Sequence, residues 1–545
     1  MGMYLDSQVA YSLYKSEVQK PYFIDKTKML EELLPLVSGG NNFICITRPR
    51  RFGKTTAASM IGAFFSDAKD SADIFDSLAI AKAAEYQKYR NQSHVIYIDF
   101  SEMDDACDSY EEYISNIKEL LREDLQRAYP QVELRKEKGS PAEDLKRINL
   151  ETGEKFMFVL DEWDAVFHMS FVTEADRRKY LTFLKTLLKG KAYVSLAYMT
   201  GILPIAKYSS GSELNMFLEY SMASQARFSE YFGFTEEEVD ELYTRYSRTV
   251  AKRRVTREGL RIWYDGYYTK TGKRLYNPRS IVAALENNQL GSYWTSAGPY
   301  DEIYYYIEHN IADIRDALAL LISGEAVKAD VQEYAATAMK LTTRDEIFSA
   351  MVVYGFLSCN QGRVSIPNRE LMLRFSDMLK REPKLGYVYR LAKESERMLQ
   401  ATRALDTKTI AEILSHVHDT EVPLWDYNRE SELTAIVNLA YLSARDEYDI
   451  QREDRSGKGY VDFIFYPRYD RHADCMIVEL KVDHSAKEAV EQIKQKNYAA
   501  RFRGKLAEET GYTGRILAVG IAYDRKTKEH TCEIEVLEEK WRKDS

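Results

Sequence analysis

Two groups of residues have the types and spacing for phosphate chemistry. The first is Thr47-Arg48-Pro49-Arg50-Arg51-Phe52-Gly53-Lys54-Thr55-Thr56, set between an apolar β-rich run and a helical pattern. Phosphate oxygens need backbone N–H donors converging at a helix N-terminus, and a glycine lets the backbone approach. Lys54 is placed to reach the β- and γ-phosphates of a nucleoside triphosphate, read here as ATP, and the Thr55 hydroxyl to help hold Mg²⁺. The pattern Gly-x-x-x-x-Gly-Lys-Ser/Thr is incomplete, because Arg48 stands at the first glycine. A side chain there makes a left-handed turn costly, so the loop entry must differ in shape. Arg48, Arg50, Arg51, Gly53, Lys54, Thr55 and Thr56 are assigned to nucleotide contact. Downstream, Phe156-Met157-Phe158-Val159-Leu160 ends in Asp161-Glu162. Asp161 is expected to hold Mg²⁺ through water and Glu162 to polarise the attacking water. Asp164 is placed to orient the site, and Thr200, just past the next strand, to sense the γ-phosphate. The bland alternatives are a solvated acidic turn and a strand-end threonine.

The second group lies near the carboxy terminus. Asp462 follows a Gly-rich turn, Gly457-Lys458-Gly459, and is expected on a strand; Glu479-Leu480-Lys481 ends the next one. Strand side chains alternate, so Glu479 and Lys481 share a face while Leu480 points into the core. If the strands pair, Asp462 sits beside Glu479. Two adjacent carboxylates are costly unless a cation lies between them, and Mg²⁺ accepts such hard oxygen ligands. Lys481 would counter charge developing on a phosphate. A surface salt bridge at an exposed strand end is the competing reading.

The elements that must position these groups follow from periodicity. Phe43–Thr47, Val95–Phe100, Phe156–Leu160 and Tyr193–Ala197 read as buried parallel strands, with helical stretches such as 57–65 and 110–125 between them. This alternation implies an α/β sheet with crossover helices. After about residue 225, Thr235 with Glu238 forms a capping box that opens a mostly helical region. Within it, 344–368 reads as a helix leading into short strands, as in a winged helix. From about 405 a helix near 432–443 precedes strands at 460–466, 476–480 and 515–521, with a helix at 486–502 before the last. Lys252, Arg253, Arg254, Arg257, Arg261, Lys270, Lys273, Arg274 and Arg279 interleave with Trp263, Tyr264, Tyr267, Tyr268 and Tyr276. Such a mixture could neutralise phosphates and stack on bases; the stronger reading is that the aromatics pack the helices while the cations are solvated.

The net charge of −9 over 545 residues gives no global attraction to nucleic acid, so an anionic partner must meet a local patch. Cys45, Cys107, Cys359, Cys475 and Cys532 are scattered without metal-ligand spacing, as expected of reduced thiols. Charged residues interrupt the amino terminus, and the longest uncharged run, 192–206, is shorter than the roughly 20 residues of a membrane helix. The expectation is a cytoplasmic protein without a membrane span.

Several motifs together resemble a known family. Pro21-Tyr22-Phe23-Ile24-Asp25-Lys26-Thr27, the Arg48–Thr55 loop, Leu160-Asp161-Glu162, Met199-Thr200-Gly201, Phe232-Gly233-Phe234-Thr235, Trp263-Tyr264-Asp265-Gly266-Tyr267, Tyr276-Asn277-Pro278 and Ile366-Pro367-Asn368 occur in this order. They resemble the bacterial AAA-ATPase-like proteins fused to a PD-(D/E)XK nuclease domain, in which the substituted first glycine and arginine-rich loop are typical. The resemblance implies an α/β protein with a P-loop NTPase core at 1–225 and a helical lid at 226–340. It further implies a winged-helix-like segment and linker at 341–404, and a restriction-endonuclease-like α/β domain at 405–545. It adds Gln492, on the helix after Lys481, to the catalytic set with Glu162, Asp462, Glu479 and Lys481. It also adds Glu432, on the preceding helix, as a metal ligand beside Asp462 and Glu479. One position departs: the family shows an arginine two residues before the first aspartate, and here it is Tyr460.

The leading expectation is an ATPase whose cycle controls a Mg²⁺-dependent nuclease acting on nucleic acid. Tyr460 motivates an alternative, an ATP-switched binding module for nucleic acid or protein whose nuclease fold is inactive. A third reading is a signalling ATPase that works by assembly into a homo-oligomer. Arg227, or a residue of the basic stretch, is a candidate arginine finger.

Overall fold

The apolar runs of the first part form strands with both faces covered. In the computed structural model they are Phe43–Thr47 (β1), His94–Asp99 (β2), Phe156–Asp161 (β3), Val194–Gly201 (β4) and Leu218–Ser221 (β5), in the order β2-β3-β4-β1-β5. All neighbouring pairs are parallel. The structure describes residues 2–39, 42–105, 107–135, 139–205, 213–222, 225–294, 311–331, 341, 343–381, 383–421, 430–451, 461–468, 470, 472–496, 502, 512 and 514–538.

Alternation along each strand divides the core. Ile44, Ile46, Val95, Tyr97, Met157, Val159, Leu196 and Tyr198 pack on one face with helix Lys54–Phe65 (α1). Cys45, Ile96, Ile98, Phe158, Leu160, Ala197 and Met199 pack on the other with helices Tyr110–Ala128, Pro141–Thr152 and Glu174–Leu188. Burial on both faces is why these strands read as continuous hydrophobic runs rather than alternating ones. Because the sheet is parallel, the C-terminal ends of β1, β3 and β4 meet at one edge, where ligands of open α/β sheets bind.

The chain divides into two compact units. The first comprises residues 1–306 and 328–370, and so includes the helices after β5. Thr235 caps helix Glu236–Thr249 reciprocally with Glu238, as the sequence predicts. Helix Arg344–Tyr354 leads into an antiparallel hairpin, Ser358–Asn360 with Arg363–Ser365.

The second unit comprises 307–327 and 371–545. Its sheet is mixed: Tyr448–Gln451 (β6), Phe463–Pro467 (β7), Cys475–Val482 (β8), Ile516–Asp524 (β9) and Glu529–Glu538 (β10), in that order. Only β8 and β9 run parallel, and helix Ala486–Gln495 (α2) makes the crossover between them. Val490 and Ile493 of α2 pack with Ile464, Ile477, Ile516 and Ala518. The strands β5, β6 and β10 are absent from the sequence reading. They are edge strands, with half-exposed residues and no continuous apolar run. Among the described residues no helix is long and apolar enough to cross a membrane.

Candidate nucleotide and nuclease sites

Gly53 takes the left-handed conformation, φ 86°, as the N-cap of α1, and a Cβ added there would meet nothing within 4 Å. The glycine is therefore required by backbone conformation and not by crowding. Arg51, also at positive φ (68°), is exposed, and Arg50 is half-buried. The first turn of α1 contains Lys54, Thr55 and Thr56, whose N–H groups have no partner within the helix by its geometry. Lys54 is 4% exposed. Its Nζ donates to the Pro49 carbonyl at 3.3 Å and lies 3.8 Å from Glu162 Oε1.

Asp161 ends β3 fully buried. Its Oδ1 accepts from the Glu162 N–H at 3.0 Å, whereas Oδ2 has no hydrogen bond. Desolvation, reinforced by Glu162 and Asp99, lifts its pKa to about 7, and the Thr55 hydroxyl and Lys54 pull the other way. Thr200, at the end of β4 between β1 and β3, is fully buried. Asp164 is buried and orients the turn after β4, accepting from the N–H groups of Ile202 (3.0 Å) and Leu203 (2.7 Å). The structure thus brings Lys54, Thr55, Asp161, Glu162 and Thr200 to one sheet edge.

Sequence reasoning missed Asp99. It ends β2 directly opposite Asp161, and burial raises its pKa. The signal was present: it is an acid closing an apolar parallel strand, like Asp161.

Arg48 is placed differently from the expectation. Its guanidinium is 1% exposed and turned into the fold. Nη1 donates to the carbonyls of Thr47 (2.8 Å) and Tyr220 (2.7 Å), Nη2 to that of Phe228 (3.4 Å), and the group stacks on Phe232 at 4.9 Å. The arginine thus braces the loop against β5 and is not open to phosphate. Burial lowers its pKa to about 9. Hydrogen bonds to a charged group contribute about 1.5–3 kcal/mol each, and an orphaned carbonyl adds its own desolvation cost. Arg48→Met should therefore lower the midpoint of the first thermal transition of the full chain by several degrees, read by calorimetry. Arg227, the other candidate cation, donates to the Glu32 carbonyl at 2.7 Å.

In the second unit, β7 and β8 pair antiparallel, with Phe463 opposite Val478. One residue further along, Asp462 faces Glu479 from just before β7 rather than from within it. Asp462 Oδ2 accepts from the Leu480 N–H at 2.7 Å. Glu479 is 3% exposed and Leu480 fully buried, with Lys481 back on the side of Glu479, as alternation requires. Glu479 Oε1 accepts from Lys481 Nζ at 3.0 Å and from Gln492 Nε2 on α2, while Oε2 is buried without a hydrogen bond. Desolvation and the Asp462 charge raise the pKa of Glu479 to about 7, opposed by Lys481 and Lys496. Lys496 is a second cation facing the carboxylate that the sequence reading did not single out. Glu432 lies on helix Glu430–Ala440, but its side chain is outside the described residues, as are Tyr460 and the Gly457–Gly459 turn. Asn438, on the same helix, is committed to the Ser323 carbonyl and Arg445.

A metal ion held at Glu479 would have to displace its proton. Its folded pKa is raised, so in the metal-free chain the proton stays bound up to about pH 7. Mn²⁺ affinity at this site should accordingly rise about tenfold per pH unit below 7 and level off above it, measured by calorimetric titration between pH 5.5 and 8. Glu479→Gln should flatten the profile.

The basic and aromatic stretch is divided between core and surface: Trp263 and Tyr268 are half-buried, and Lys252, Arg253, Arg254, Lys270 and Arg279 are exposed. Tyr264 and Tyr276 lie in a core cluster, and Tyr267 is buried. Arg257 pairs with Glu236 and Asp240, Arg261 with Glu258, Lys273 with Glu230 and Arg274 with Asp265.

The first unit has the parallel sheet, glycine-lysine loop and acidic strand end of a P-loop ATPase, and the second a mixed sheet of PD-(D/E)XK type. The model of the predicted AAA-ATPase family matches residues 14–210, and that of the PD-(D/E)XK nuclease superfamily matches 430–531. The chain therefore joins these two domains. An uncharacterised protein in the vnfD 5′ region of Azotobacter chroococcum mcd 1 is 24% identical over 506 residues, covering 89% of this chain and 90% of its own length. Two solved structures were also matched. A Walker-type ATPase of Pyrococcus abyssi covers 64% of this chain and 94% of its own, at 13% identity and TM-score 0.34. The ORC2 protein of Aeropyrum pernix covers 64% and 92%, at 12% identity and TM-score 0.31.

Proposed function

We propose that the chain binds and hydrolyses ATP at the phosphate loop, and that this cycle governs a Mg²⁺-dependent phosphodiesterase in the second unit acting on nucleic acid. One observation, made twice, supports the reading. Asp161 and Glu479 are each desolvated, lifted to a pKa of about 7, and left with one buried oxygen that has no hydrogen bond. Such an oxygen beside a second carboxylate fits a hard divalent cation.

At the first site the α1 N-terminus and Lys54 take the phosphates, and Thr55 and Asp161 are the Mg²⁺ ligands. Glu162 Oε1 lies 3.8 Å from Lys54 Nζ. Phosphate binding engages Lys54 and leaves Glu162 to accept the proton of the attacking water. Thr200 donates to the γ-phosphate. At the second site Asp462 and Glu479, with Glu432, are the metal ligands. Gln492 holds Glu479 in position, and Lys481 counters charge on the phosphate under attack. Bound Mg²⁺ supplies charge neutralisation and a more acidic water.

The test is cleavage of single- and double-stranded DNA and RNA by the full chain in Mg²⁺, with and without ATP. Metal-dependent cleavage altered by ATP is the expected result. Tight binding with no cleavage in any divalent metal would instead favour the second reading. In that reading Tyr460 stands where the resembling family carries a phosphate-contacting arginine, and the nuclease fold only recognises its partner.

A further inference from the structure

Trp294 lies outside both sites, yet its indole Nε1 donates to the carbonyl of Arg50, in the middle of the phosphate loop, at 3.0 Å. The ring is 6% exposed and packs edge-on to Phe356 at 5.5 Å. Gly355, at φ 84°, closes the same contact. A Cβ there would lie 2.7 Å from Pro49 Cβ, so a larger residue would push the loop away. Phe52 of the loop meets Tyr267 edge-on at 4.9 Å, and the Tyr267 hydroxyl donates to the Gly355 carbonyl at 3.2 Å. The outer face of the phosphate loop is thus clasped by packed groups.

The backbone N–H groups of Tyr293 and Trp294 donate to Oε1 of Glu370, the latter at 2.6 Å, and the Ser280 hydroxyl donates to Oε2 at 2.8 Å. Glu370 is 2% exposed. It is the last residue of the first compact unit; Leu371, the next residue of the same helix, Arg369–Leu379, begins the second. A buried carboxylate held by several donors cannot follow a small displacement of Trp294 without moving its helix or losing hydrogen bonds, and packed interiors respond by switching arrangement.

We propose that Trp294 and Glu370 are positioning residues that relay the state of the phosphate loop to helix 369–379, where the chain passes into the nuclease-bearing unit. Engaging phosphate redirects the loop peptides, including the Arg50 carbonyl. The indole follows this carbonyl, and Glu370 carries the shift into its helix. The relay rests on the reading of Gly53-Lys54-Thr55 as the nucleotide site.

Amide hydrogen exchange on the full chain, with and without Mg²⁺ and the non-hydrolysable probe AMP-PNP, tests it. In the wild type, exchange over 371–379 should change on nucleotide binding. Trp294→Phe keeps the ring but removes the N–H, and should bind AMP-PNP within about threefold of wild type while losing that change. Glu370→Gln should give the same loss. Nucleotide binding with unchanged exchange over 371–379 in the wild type would overturn the relay. So would a Trp294→Phe chain that transmits like wild type. A wild type that binds no AMP-PNP overturns the nucleotide reading itself, and the relay with it, which sets that failure apart.

Discussion

Lys54→Ala should weaken ATP binding by about 100-fold in a calorimetric titration of the full chain. Removing one partner from a desolvated charge pair costs about 3 kcal/mol, and 1.4 kcal/mol is a factor of ten in affinity. Lys54 is such a partner: it is 4% exposed at the first turn of α1. A second effect adds to the first. Lys54 opposes the rise in the Asp161 pKa, so without it the aspartate holds its proton more firmly and Mg²⁺ competes less well. The loss should therefore be greater at pH 6.5 than at pH 8. Unchanged affinity would mean that phosphate binds elsewhere.

Asp462→Asn should lower the proposed Mg²⁺-dependent cleavage by on the order of 10³-fold, since metal-assisted charge stabilisation contributes several kcal/mol at 1.36 kcal/mol per factor of ten. Asparagine is the sharper choice than alanine, because its carbonyl oxygen can still accept from the Leu480 N–H that Asp462 Oδ2 now satisfies. The same substitution removes the charge that raises the Glu479 pKa. The variant should consequently be as stable as wild type without metal, or slightly more so, and gain less from added Mg²⁺. Activity and stability moving in opposite directions would separate a ligand from a structural residue. Equal cleavage by wild type and variant would refute the assignment.

Both sites were legible to the extent that their geometry is local. A strand, a short loop and a helix N-terminus occur within a dozen residues, so the placement of Gly53, Lys54 and Thr55 follows from chain order. Alternation along β8 likewise puts Glu479 and Lys481 on one face. Arg48 shows where this stops. Its type suggested phosphate, but its partners are the carbonyls of Tyr220 and Phe228, far along the chain, and nothing near Arg48 announces them. Asp99 differs: its strand-end position was legible, but only the pairing of β2 with β3 puts it opposite Asp161. The basic stretch is the converse case. Its composition suited nucleic acid, but Glu230, Glu236 and Asp240 already pair with Arg257 and Lys273.

From sequence alone, the chain had to contain a strand–loop–helix able to bind phosphate, an acidic strand end and a later carboxylate pair with a lysine. Side-chain type and the periods of helix and strand decide such features within a few residues. Only the folded chain decided that β4 separates β1 from β3, that Arg48 faces inward, and that Asp161 and Glu479 are stripped of water until one oxygen of each has no partner. Strand order, burial and desolvation depend on segments brought together from distant parts of the chain. The phosphate loop could thus be found by reading along the sequence, whereas the electrostatics that poise the carboxylates for a cation emerge only once the sheets are assembled.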